Sequence, residues 1–291
     1  MREGRRYSRH GRRVAALAGL LAGIVAAAAL PAAGSTATTE ATTGKPACGD
    51  RAGLNSPRKK TIAMKLVSSA ENSSLRWRAQ YRYLEYNVEG NASDNRGYTG
   101  GIIGFTSKAG DMLELVRRYR SIRPHNPLAG YIPALRRARG TTRIKGLGAG
   151  FRRAWRESAR GGAFRRAQDR ERDLHYFCPA VRRAQRDGLG ALGQFIYYDA
   201  IVVHGPGPDR DSFGGIRSEA LRLADTPSGG GDEPGFLNAF LDVRRAAMRR
   251  EAAHEDTSRI DDAQRVFLNA GNLNLDPPLA WMTYGDRYSI P

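Results

Sequence analysis

The stretch "LGALGQFIYYDAIVV", residues 189–203, is apolar nearly all the way round a helix. A helix without a polar face cannot lie on a surface, so this one is expected at the centre of the domain, enclosed by other elements. It also carries Asp199 in its interior. A carboxylate in such a place is costly unless it is paired and hydrogen-bonded, so Asp199 needs a buried partner, for which arginine is the best fitted. The rest of the chain must therefore supply a helical shell and a cation that reaches inside it.

Helical patterning supplies the shell. Apolar residues recur at helical spacing over 111–120, 128–139, 151–159, 163–176, 179–186, 218–224, 234–254 and 260–270. Arg244, Glu251 and Glu255 are spaced by seven and four, which puts them on one face, and Arg259 follows shortly after. The same spacing also describes an ordinary surface ion-pair ladder. Between the first helices and residue 111 lies "NVEGNASDNRGYTGGIIGFTS", whose glycines alternate with Tyr98, Thr99, Ile102, Ile103 and Phe105. This is the one convincing β-segment, with short strands and turns where backbones pack closely. The fold class is mainly α (α+β) with a small sheet.

The first helix begins at Ser56 and Pro57, a hydroxyl cap followed by a proline suited to the first turn. Ile62, Ala63, Leu66, Val67 and Ala70 form its inward stripe, with Lys59, Lys60 and Lys65 outside it. Glu71 then falls in the last turn, within "SSAENSS", with no cation adjacent in sequence. The negative end of the helix dipole and partial burial would both favour its protonated form, which is how a general acid is prepared. Glu71 reads equally as a solvated glutamate at a frayed end. Asn72-Ser73-Ser74 and Asn91-Ala92-Ser93 also fit the short N-glycosylation pattern. A second helical stretch is expected over 75–84.

Residues 1–36 read as an export signal. Six arginines precede an apolar run from Val14 to Leu30, and small residues follow. The run is shorter than the ~20 residues of a comfortable membrane span. The mature protein is therefore expected to be secreted; residues 37–50, with "STATTEATTGKPA", read as a flexible lead-in, and 51–291 as one sizeable domain or two lobes around a cleft. The formal charge is +18, and removing the six arginines and one glutamate of residues 1–36 lowers it by five, to +13. Such a balance raises the question of polyanions. Here the basic residues are spread over many segments without aromatic interleaving, which argues for solvated surface and against nucleic acid.

Cys48 and Cys178 are the two cysteines, and in an oxidising compartment they are a candidate disulfide whose geometry sequence cannot establish. His175 and Cys178 have a metal-like spacing but no second ligand pair, and "HED" at 254–256 is not a zinc-peptidase motif. No metal or cofactor is expected. "GLGAG" at 146–150 lacks both a preceding strand and the full dinucleotide fingerprint.

Glu71 and Asp94 are 23 residues apart, one leaving a helix and the other entering the glycine-rich sheet, an arrangement that can set two acids across a cleft as glycosidic hydrolysis requires. The residues that carry this argument also carry a resemblance. "IAMKLVSSAENSSLRWRAQYRYLE", "DNRGYTGGIIGF" and "GDMLELV" look like the opening of the family 46 glycoside hydrolases, the chitosanases. "ALGQFIYYDAIVVHGPG", "SFGGIR", "GGDE", "AHEDTSR" and "TYGD" match the same family in order to the chain's end.

The resemblance implies a lysozyme-like fold of two helical lobes, with a small sheet lining a substrate cleft. It implies internal cleavage of β-1,4-linked glucosamine in chitosan, with inversion. Glu71 would be the general acid, Asp94 the base and Thr99 the residue that helps hold the attacking water. Tyr83, Arg96 and Asp111 match substrate-cleft positions, and Asn72 neighbours the acid. Asp199, Arg244 and Arg259 match a buried charge network behind the acid, which answers the need of Asp199. The implied partner is the polysaccharide, with no nucleic acid, no membrane after signal removal and a monomeric protein. Between Tyr83 and Asp94 this chain is longer than the family pattern, which makes Glu85 and Glu89 competing carboxylates. Glu255 stands where Asp is more usual, and neither cysteine belongs to the pattern. A muramidase-like cell-wall glycan hydrolase shares the fold type and the two acids, and a basic polyanion-binding protein is the non-enzymatic alternative.

Overall fold

The computed structural model describes Cys48 and residues 52–87, 97–250 and 256–291. The expected export signal lies outside the described residues, as do Glu89, Asn91, Asp94, Arg96, Glu251 and Glu255. Among the described residues the chain forms α1 (Pro57–Asn72), α2 (Asp111–Ile122), α3 (Ile132–Ala138), α4 (Ala149–Ser158) and α5 (Gly162–Arg172). These are followed by α6 (Cys178–Arg186), α7 (Ala191–His204), α8 (Phe213–Leu223), α9 (Glu233–Arg250) and α10 (Arg265–Asn269). Strands β1 (Leu84–Tyr86), β2 (Tyr98–Gly100) and β3 (Phe105–Thr106) make one antiparallel sheet in that order, and β4 (Leu279–Thr283) and β5 (Asp286–Ile290) a hairpin.

Every residue of α7 is buried, as its lack of a polar face requires. The helix packs against α1, α6, α8 and α9. Tyr197 anchors one aromatic cluster, meeting Phe213 of α8 and Phe236 and Phe240 of α9. A second cluster builds the sheet side, running by ring contacts from Tyr98 through Phe151 and Trp155 to Phe164 and Tyr119. The sheet packs so closely here that a Cβ on Gly100 would lie 2.9 Å from the Tyr83 carbonyl oxygen and 3.0 Å from the Trp155 ring. The mainly α, lysozyme-like arrangement expected from the sequence is the one observed.

Several local expectations are corrected. The Ser56 hydroxyl does not cap α1; proline at the first position holds there alone. Residues 75–84 contain a 3-10 helix, Trp77–Arg82, rather than an α-helix. Lys59 and Lys60, outside the apolar stripe as expected, are paired with Asp276 at 2.6 Å and Asp173 at 2.8 Å. The β4–β5 hairpin is a second β-segment that sequence reasoning missed. "GLGAG" follows a loop and opens α4, so it is no strand-to-helix phosphate turn.

A disulfide joins Cys48 to Cys178 at the start of α6, with a Cα–Cα distance of 4.5 Å. It pins the lead-in's end to the core, because both cysteines are buried. Closing a loop of 130 residues removes conformational freedom from the unfolded chain. Replacing both cysteines with serine is expected to lower stability by about 2–4 kcal/mol, read as a lower urea midpoint; the slope should not fall, because the unfolded chain opens further without the cross-link.

Candidate active site

Glu71 lies in the last turn of α1 because the helix stops one residue later. Ser73 takes a left-handed conformation at φ 47°, and its amide returns to the Ser68 carbonyl. The Glu71 side chain is 17% exposed, and its Oε1 accepts a hydrogen bond from Arg259 Nη1 at 2.7 Å. No cation is adjacent in sequence; the partner arrives from 188 residues away, as part of the charge network that the family resemblance implied.

Arg259 is itself held from behind. Its Nη2 and Nε grip Asp199 of α7 at 2.7 and 3.2 Å, a two-point contact that leaves Nη1 pointing at Glu71. Asp199 also accepts from Arg244 Nη2 of α9 at 2.8 Å and from Gln264 Nε2 at 2.7 Å. Arg244 is completely buried, so it belongs to no surface ladder; its remaining donors reach Gln264 Oε1 at 3.1 Å and His204 Nε2 at 3.4 Å. Burial alone would raise the Asp199 carboxyl, but the two guanidiniums outweigh it and hold the group well below the usual carboxylate range.

Gln264 and His204 were not anticipated from the sequence. Arg259 and Gln264 are five residues apart, which on an α-helix would place them about 140° apart. A π-helical turn, Ile260–Gln264, brings both onto Asp199.

The small sheet gathers the other residues in a row. Glu85 of β1 pairs with Thr99 of β2, and Thr99 with Thr106 of β3. The Thr106 amide then donates to Asp111 Oδ1 at 2.7 Å, as does the Met112 amide at 2.9 Å. Cross-strand partners share one face of a sheet. Tyr83 joins the row by donating its hydroxyl to Glu85 Oε2 at 3.1 Å. Thr99 is buried, and its Oγ1 has no hydrogen-bond partner among the described residues. Asn72 is half-buried beside Glu71 in sequence. The arrangement thus unites Glu71 with Asp199, Arg244 and Arg259, and unites Thr99, Tyr83 and Asp111 on the sheet. Asp94 and Arg96 fall in the undescribed segment between β1 and β2. His175 pairs with Glu171 at 3.1 Å and Cys178 is in the disulfide, so their spacing makes no metal pair.

An acid clamped by a buried charge network, in a chain whose small sheet carries further acidic side chains, fits hydrolysis of a glycosidic bond. A model of Glycosyl hydrolase family 46 matches residues 65–279. The chain belongs to this family. Relatives include a chitosanase of a Streptomyces species, 58% identical over 253 residues, covering 87% of this chain and 88% of the relative. A Bacillus subtilis chitosanase is 37% identical over 242 residues, covering 78% and 83%. A chitosanase co-crystallised with substrate superposes with a TM-score of 0.77 at 58% identity, over 82% of this chain and 99% of that one. A Gynuella sunshinyii chitosanase in complex with chitotetraose gives 0.72 at 32% identity, over 81% and 98%.

Two carboxyls of this family 46 hydrolase titrate with opposite consequences. Asp199 lies below its unfolded value of about 3.9, so its contribution is present above that pH and is lost as pH falls through the folded value. Burial raises the half-buried Asp111 carboxyl to about 7, against the Thr106 and Met112 amides, with Glu171 adding to the rise. Its contribution is therefore full below about pH 4 and lost as pH rises through about 7. Melting temperatures of wild type and Asp111→Asn between pH 4 and 8 test this. The wild type should fall relative to the variant as pH rises, and a constant difference would contradict the assignment.

Proposed function

We propose that this chain is a secreted, endo-acting chitosanase that cleaves β-1,4 linkages between glucosamine units with inversion. The observation that carries the reading is the fixing of Glu71 Oε1 by Arg259, which among the described residues leaves the other carboxyl oxygen to serve the substrate. With Oε1 accepting from Arg259, the proton the reaction needs sits on Oε2, where it is given to the glycosidic oxygen as the bond to the anomeric carbon breaks. Asp94, on the far side of the sugar, takes a proton from water as that water attacks the anomeric carbon, and Thr99 Oγ1 accepts or donates a hydrogen bond to the same water. Inversion requires room for the water, so the two carboxyls work at roughly 6.5–9.5 Å. Glu85, paired with Thr99 across the strands, is the competing base if the longer loop has moved Asp94.

Substrate charge gives the acidic row its purpose. A polymer of protonated amines meets a protein of high positive charge, so the cleft has to be locally acidic whatever the net charge. Asp111, with Tyr83, Arg96 and Asn72, lines the path of the chain in this reading. An ammonium beside Asp111 would draw off the proton that burial favours, so binding near pH 7 releases protons. Export is supported by the N-terminal charge and apolar run and by the disulfide. The chain is read as acting as a monomer.

Incubation with chitosan and sizing of the products tests the activity, with short oligomers expected early. Glu71→Gln should lower kcat by about 10²–10⁴ with the fold intact, and proton NMR should show the α-anomer first. Normal hydrolysis by Glu71→Gln, or a β-anomer appearing first, would contradict the reading.

A further inference from the structure

Tyr284 occupies a position for which local backbone chemistry favours other residues. It and Gly285 form the two-residue loop between β4 and β5, with Thr283 and Asp286 paired across its base. Both have positive φ, 53° and 79°, as a type I′ turn requires. Glycine suits the second position, and Asn or Asp the first; a bulky aromatic at positive φ is an outlier. Core packing does not explain the choice, because Tyr284 is 36% exposed while Trp281 of the same hairpin is buried.

The hairpin is nevertheless fixed where the chemistry is. The Tyr284 amide donates to Ser258 Oγ at 2.9 Å, and Ser258 immediately precedes Arg259. Trp281 Nε1 donates to Ser69 Oγ at 3.0 Å, two residues before Glu71. The turn is thus clamped between the segments that carry Arg259 and Glu71. Partial burial, with the charges of Glu71, Asp256 and Asp199 against that of Arg259, raises the Tyr284 hydroxyl above the ordinary tyrosine value. The ring therefore shares an electrostatic environment with the acid.

We infer that Tyr284 contacts substrate, its ring serving as a platform for the sugar unit beside Glu71, and that the unfavourable turn residue is retained for that contact. Strained backbone tolerated next to a site is where function overrides local preference. The inference rests on the chitosanase reading and adds to it a specificity-determining residue from the C-terminal hairpin.

The test uses Tyr284→Asn and Tyr284→Phe in a Glu71→Gln background, with calorimetric titration of a glucosamine hexamer. Asn should weaken binding about tenfold and Phe no more than about threefold, since the ring carries the contact. Asn should also raise the melting temperature by about 2–4 °C, because it suits the turn. Unchanged affinity in Tyr284→Asn, a Phe variant as weak as the Asn one, or a lowered melting temperature in Tyr284→Asn would each overturn the proposal. Failure of the hexamer to bind protein that retains Tyr284 would overturn the chitosanase reading itself, and the platform with it.

Discussion

A carboxylate inside an apolar helix is the constraint on which the rest of this structure depends. Asp199 can stay ionised within α7 because two arginines and a glutamine converge on it. Arg244 comes from α9 and Arg259 and Gln264 from the π turn, so satisfying one buried charge fixes α9, the π turn and α7 against one another. Removing one partner from such a cluster would leave a buried charge uncompensated, typically at about 3–5 kcal/mol. The same cluster delivers the Arg259 fork to the end of α1. One guanidinium thus joins the buried charge of α7 to Glu71.

The site residues fall into two groups, one around Glu71 and one on the small sheet. Glu71 stands on a helix whose end is fixed by Ser73 and whose carboxyl is held by Arg259. The sheet orders Glu85, Thr99, Thr106 and Asp111 through strand pairing and an amide contact. Positioning of this kind accounts for a large part of catalysis when reacting groups must meet in one geometry. The sequence reading set Glu71 at the negative end of a helix with partial burial; the structure adds an orienting cation whose charge is shared with Asp199.

The central helix, the need of Asp199 for arginine and the helical shell were legible in the sequence, because burial and the cost of an unpaired charge leave few alternatives. Local spacing could not reveal that Arg259 serves Asp199 and Glu71 together, since that contact spans 188 residues. Gln264 and His204 escaped notice because polar residues in helical patterns carry no mark of burial, and a π turn alters which residues share a face. The β4–β5 hairpin was missed because a Tyr-Gly loop lacks the usual turn signal, although the alternating burial of Leu279, Trp281 and Thr283 is a half-buried strand pattern. The disulfide pairing stayed open until Cα positions were known.

If Asp199 acts on the reaction only by holding Arg259 against Glu71, the two residues form one unit. A double-mutant cycle on kcat with Asp199→Asn, Arg259→Gln and the combined variant measures this directly, on protein shown to be folded by circular dichroism. The account predicts that each single variant loses about as much as the pair. Losses that multiply in the double variant would show two independent roles and contradict it.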